Sequence, residues 1–68
     1  MNNWFLLYST KNMVEASILQ GMLEENQIPV HVLNKLDSSY PVIGDIELYV
    51  PIHLKEIAQA LIQKGLLN

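Results

Sequence analysis

The segment from Gly44 to Lys64 restricts the fold of this chain more than any other. After the Gly44-Asp45 pair, Ile46-Glu47-Leu48-Tyr49-Val50-Pro51 alternates apolar and polar side chains. A period of two is the mark of a strand with one buried face, so Ile46, Leu48 and Val50 are expected inside and Glu47 and Tyr49 outside. Val50 precedes a proline, which favours extended backbone and a strand end. The period then changes at once. Leu54, Ile57, Ala58, Leu61 and Ile62 recur at helical spacing over Ile52–Lys64, with Lys64 suited to the negative end of the helix and Gly65 to the residue after it.

The first half of the chain repeats the strand-then-helix theme. Trp4–Ser9 reads as a first strand, Trp4, Leu6 and Tyr8 on one face and Phe5 and Leu7 on the other. Both faces are apolar, as in a strand covered on both sides. Asn12 is a good N-cap with Glu15 three residues on, which starts a helix over Met13–Glu25. Its apolar stripe is expected at Val14, Ile18, Leu19, Met22 and Leu23, with Met13 and Met22 as packing residues. Asn26 is the expected left-handed residue that ends it. Ile28–Leu33 reads as a second strand, with Ile28, Val30 and Val32 facing one way and His31 and Leu33 the other. Pro29 lacks an N–H and marks it as an edge. A long connection, Asn34–Asp45, then leads to the third strand.

These 68 residues make a single α+β domain over 1–68 with the order βαββα. Two helices, each with one apolar stripe, cover only one face of a three-stranded antiparallel sheet. The simplest arrangement is the ferredoxin-like split βαβ unit, with the third strand between the first and second. The other sheet face then carries His31, Leu33, Glu47 and Tyr49. The first strand adds either Trp4, Leu6 and Tyr8 or Phe5 and Leu7, the aromatic set being favoured. A complete ferredoxin-like fold has a fourth strand beside the first, and none is predicted here. Trp-Phe-Leu-Leu-Tyr is thus expected as an edge without charge or proline to guard it. Another subunit, the long connection or Leu66-Leu67-Asn68 would cover it.

Half the residues are hydrophobic, high for so small an interior, and no cysteine supplies a disulfide. Oligomerisation is the remaining support, most simply as a homodimer. The net charge is −3, with four scattered lysines and no arginine, which argues against nucleic acid. No apolar run approaches the length of a membrane span or a signal-peptide core, so the expected address is the cytoplasm.

Catalytic and metal chemistry find little footing. His31 and His53 are the only histidines, and no third ligand stands at helpful spacing. Glu24-Glu25 reads as solvated surface, and Ser38-Ser39 as loop polarity without a nucleophile elbow. The connection has one glycine and no adjacent lysine, unlike a phosphate-binding loop. Trp4, Tyr8 and Tyr49 as a base-stacking platform are disfavoured by the acidic balance. No enzyme activity, metal or cofactor is therefore expected.

In its ordered set of features the chain resembles a family of small bacterial domains, the putative prokaryotic signal transducing proteins. The resemblance rests on the aromatic first strand, Glu15-Ala16, Gly21-Met22-Leu23-Glu24, Ile28-Pro29, Gly44 through Pro51, and Ala58. It implies a ferredoxin-like fold related to the nitrogen-signalling PII proteins, and no established ligand or reaction. The family usually has glycine before the Ile-Pro pair, where this chain has Gln27. The turn is then expected to form differently, at Asn26. Some relatives carry a cysteine-rich metal module, for which this chain has no ligands. In PII proteins the connection between strands two and three contacts partners, and Asn34–Asp45 corresponds to it by analogy of fold.

The resulting expectation is a non-enzymatic interaction or signalling module. Its surface would comprise Trp4, Leu6, Tyr8, His31, Leu33, Tyr40, Glu47 and Tyr49, with the first-strand edge and the 34–45 connection. The partner would be a second copy or another protein. The alternative is a sensor that binds a small-molecule effector, a nucleotide or amino acid, at a subunit interface.

Overall fold

The computed structural model describes residues 3–35 and 45–66. Strand β1 (Trp4–Thr10) is followed by helix α1 (Met13–Glu25), strands β2 (His31–Asn34) and β3 (Ile46–Pro51), a 3-10 turn at Ile52–Leu54, and helix α2 (Lys55–Leu66). The sheet order is β1-β3-β2 and both pairings are antiparallel. The expected α+β, ferredoxin-like arrangement is the one observed. No helix among the described residues is long and apolar enough to cross a membrane.

The core lies between the sheet and the two helices. Ile46, Leu48 and Val50 of β3 are buried against Ala16, Leu19 and Leu23 of α1 and Ala58 and Ile62 of α2. Leu23, Ile46, Leu48 and Val50 are fully enclosed. Each such side chain contributes about 1.5–3 kcal/mol by leaving water. The alternation predicted for β3 is present in full, because a central strand has fixed neighbours on both sides and one covered face.

Strand β1 departs from simple alternation. Leu6 stands opposite Tyr49, yet Tyr8 stands opposite Leu48, so the register shifts by one residue at Leu7. This bulge places Leu7 and Tyr8 together against the core. The shared face expected for Trp4, Leu6 and Tyr8 is therefore corrected. Trp4 and Leu6 stay on the open side, and Tyr8 turns to the helices. There the Tyr8 hydroxyl donates to Glu15 Oε1 at 3.2 Å, and Thr10 Oγ1 donates to the same oxygen at 2.7 Å.

That anchor also sets the rotation of α1. Asn12 caps it as expected, its Oδ1 accepting from the Glu15 N–H at 3.0 Å. With Glu15 held against β1, the buried line runs through Ala16, Leu19 and Leu23. Val14, Ile18 and Met13, expected to pack inward, are instead exposed, as is Ile57 on α2.

The end of α1 is a Schellman turn. The Gln27 N–H donates to the Glu24 carbonyl and the Ile28 N–H to the Leu23 carbonyl, both at 3.0 Å. The residue with positive φ is Gln27, at 63°, not Asn26, at −95°. The Asn26 side chain donates instead to the Met22 carbonyl at 2.8 Å. Ile28 is buried beside Leu23, the apolar contact that accompanies this turn. The second strand starts later than expected, at His31, so Ile28 and Pro29 belong to its approach.

Two further boundaries differ. The 3-10 turn intervenes before α2, and Gly65 lies inside the helix. A Cβ built on Gly65 would meet Met22 Sδ at 3.1 Å, so glycine serves close packing there. At the other end of the sheet, the Lys35 N–H donates to the Asp45 carbonyl at 2.9 Å and joins the two ends of the 36–44 segment. Lys11 Nζ lies 3.7 Å from Asp45 Oδ1, an exposed pair expected to contribute little.

Candidate interaction face

The sheet face away from the helices is assembled from three cross-strand rows. Trp4 is opposite Pro51. Leu6, Tyr49 and His31 form the second row, one residue from each strand. Ser9, Glu47 and Leu33 form the third. Residues directly opposite in an antiparallel pair share a face, so β3 places Tyr49 and Glu47 at its centre. Leu6 is 44% exposed and Leu33 39%, while Trp4, Tyr49 and Glu47 are half-buried by their neighbours.

The side chains make specific contacts. The rings of Trp4 and His31 lie 5.7 Å apart at 52°, a tilted contact that spans the sheet over β3. The Tyr49 hydroxyl donates to Glu47 Oε1 at 2.8 Å, and Lys35 Nζ approaches the same oxygen at 3.2 Å. The hydrogen bond from Tyr49, aided by Lys35, holds the Glu47 carboxyl below its ordinary range. The same bond raises the Tyr49 hydroxyl above its usual value, with desolvation and the Glu47 charge adding to it. The result is a polar centre fixed in one charge state at neutral pH, with aliphatic and aromatic groups around it.

Of the residues expected here, Trp4, Leu6, His31, Leu33, Glu47 and Tyr49 are brought to one face. Tyr8 is not, and burial together with its bond to Glu15 raises its hydroxyl pKa on the helix side. Tyr40 and the middle of the 34–45 connection lie outside the described residues. Lys35 is an addition. Its signal was the alternation His31, Leu33, Lys35, which continues one face two residues past the predicted strand end.

Among the described residues, no three His, Asp or Glu side chains gather in a metal-binding group. The face offers apolar contact area, one fixed carboxylate–hydroxyl–ammonium set and an exposed imidazole. A model of the family described as "Putative prokaryotic signal transducing protein" matches residues 4–64. No curated protein and no solved structure matches the chain.

Proposed function

The chain belongs to the family of putative prokaryotic signal transducing proteins, and on that premise we propose that it is a non-enzymatic module that relays a signal by binding another protein. The binding surface is the open sheet face, extended by the β1 edge. One observation carries this reading: the helices cover one side of the sheet only, and Leu6 and Leu33 on the other side stay 44% and 39% exposed. They flank the fixed Tyr49–Glu47–Lys35 set. Large apolar side chains exposed together on one sheet face support docking of a folded partner or a segment of one. The family description names signalling and no reaction.

Site-specific photo-crosslinking in the native cell tests the proposal. A photoreactive residue at position 6 or 33 should give one discrete protein adduct. The same probe at Gln59, an exposed position on α2, should give none. Leu33→Asp should abolish the adduct formed from position 6. Equal labelling from the sheet and from Gln59, or no adduct from the sheet at all, would remove the basis for this assignment.

A further inference from the structure

Strand β1 is an edge of the sheet, paired with β3 on one side and, among the described residues, with no strand on the other. The two edges are not alike. β2 is four residues long, with Pro29 ahead of it and Lys35 just after it. A short strand between proline and lysine resists further pairing. β1 runs for seven residues, Trp4–Thr10, with neither a charge nor a proline.

One bond fixes which way its backbone groups point. The Ile52 N–H donates to the Asn3 carbonyl at 3.0 Å, and Trp4 stands opposite Pro51. Asn3 therefore turns its backbone groups toward β3. That direction alternates along an antiparallel strand, so Phe5 also faces β3, while Trp4 and Leu6 present their N–H and C=O outward. Pro51, which has no N–H to give, fits opposite Trp4 for the same reason. The bulge at Leu7 ends the regular row. The free template is Trp4-Phe5-Leu6, the length of a short extended segment.

The side chains around that row define what it accepts. An added strand alternates its side chains between the two faces of the sheet. Those on the open face meet Trp4 and Leu6. The one beside Phe5 lies on the helix side, where Phe5 packs against the core. There Lys55 Nζ stands 5.5 Å from the centre of the Phe5 ring, and Lys55 is exposed and in no ion pair among the described residues. We propose that the β1 edge takes an extended segment of a partner protein as a fourth strand, with an acidic residue beside Phe5, paired to Lys55, and apolar residues on either side of it. A second copy added through β1 does not supply this, since Trp4–Thr10 holds no carboxylate. The inference rests on the reading of the β1 edge as part of the binding surface, and gives the form and chemistry of what enters there.

Amide hydrogen exchange of the full chain, with and without the capped peptide acetyl-Thr-Val-Glu-Val-Thr-amide, tests it. In the free chain the Trp4 and Leu6 amides should exchange quickly, and that of Phe5, which faces β3, slowly. The peptide should slow exchange at Trp4 and Leu6 and leave Phe5 unchanged. Replacing its glutamate by lysine should weaken binding roughly threefold or more, the size expected when a surface attraction becomes a repulsion. Lys55→Glu should reverse that preference with far-UV circular dichroism unchanged, since Lys55 is exposed in the first turn of α2. Slow exchange at Trp4 and Leu6 before peptide is added, no protection by the peptide, or equal affinity for both peptides would overturn the inference. So would protection that rises with protein concentration alone, which would place a second copy on the edge. The sheet-face reading is tested separately by the adduct from position 33, on the opposite edge strand β2.

Discussion

Gln27 holds the left-handed conformation that ends α1, with φ at 63°. A side chain in that region costs roughly 1–2 kcal/mol that glycine avoids, partly offset by the greater freedom of glycine when unfolded. Gln27→Gly should therefore stabilise the domain by about 1 kcal/mol, a rise in Tm of roughly 4–8 °C for this size of chain. An unchanged or lower Tm in thermal denaturation would contradict that. The sequence marked a turn here but assigned it to Asn26, since asparagine is the usual substitute for glycine. The choice is made by Ile28, which must enter the core beside Leu23 and so sets which residue turns. Glu47 gives a second test. Its pKa is lowered in the fold by the Tyr49 and Lys35 bonds, so the unfolded chain takes up a proton first on acidification. The stabilisation is fully present above the ordinary carboxylate value of 4.5 and is lost as the pH falls through the lower folded value. The Tm advantage of the native chain over Glu47→Gln should be constant near neutrality and shrink below that value.

Among the elements, β1 was the least legible, and the bulge is the reason. Period-two reading assumes one residue per partner residue, and nothing in Phe-Leu-Leu-Tyr announces that Leu7 and Tyr8 share Leu48. The information lay off the strand, in Glu15, whose carboxylate draws Tyr8 and Thr10 to the helix side. The rotation of α1 is hidden in the sequence for the same reason. Val14 and Ile18 fit an apolar stripe as well as Ala16 does, and only the anchored Glu15 decides between them. The bulge makes an uncommon prediction. Deleting a residue from the middle of a strand normally moves every later side chain to the wrong face. Deleting Leu7 should instead leave Tyr8, Ser9 and Thr10 on their present faces, at a cost of about 1–2 kcal/mol for the lost apolar burial. Deleting Leu48 from the regular β3 should abolish the fold. Nuclear Overhauser contacts between the Tyr8 ring and α1 would report the first outcome, and amide dispersion the second.

At the scale of the whole molecule, the fold was legible because β3 and its following helix carry strong, opposite periodicities; β2 is an edge as expected, but Pro29, read as its marker, lies ahead of the strand. The open sheet face followed from counting apolar stripes. The exposed helical layer did not, since exposure depends on rotation as much as on composition. A domain this small has little reserve, roughly 3–5 kcal/mol from its core. Leu48→Ala removes a fully buried side chain from the central strand and should cost about 2–5 kcal/mol. That variant should be largely unfolded at room temperature by circular dichroism, whereas Leu33→Ala on the exposed side should change stability by less than about 0.5 kcal/mol. One backbone bond bears on how such a domain diversifies. The Lys35 N–H and the Asp45 carbonyl are already joined, so the segment between them enters and leaves the sheet at adjacent points. Doubling its length should add only about 0.6 kcal/mol of closure cost. The Lys35–Asp45 bond thus acts as a fixed port in the described structure, at which a change in the length of the intervening sequence is expected to cost the sheet and helices little.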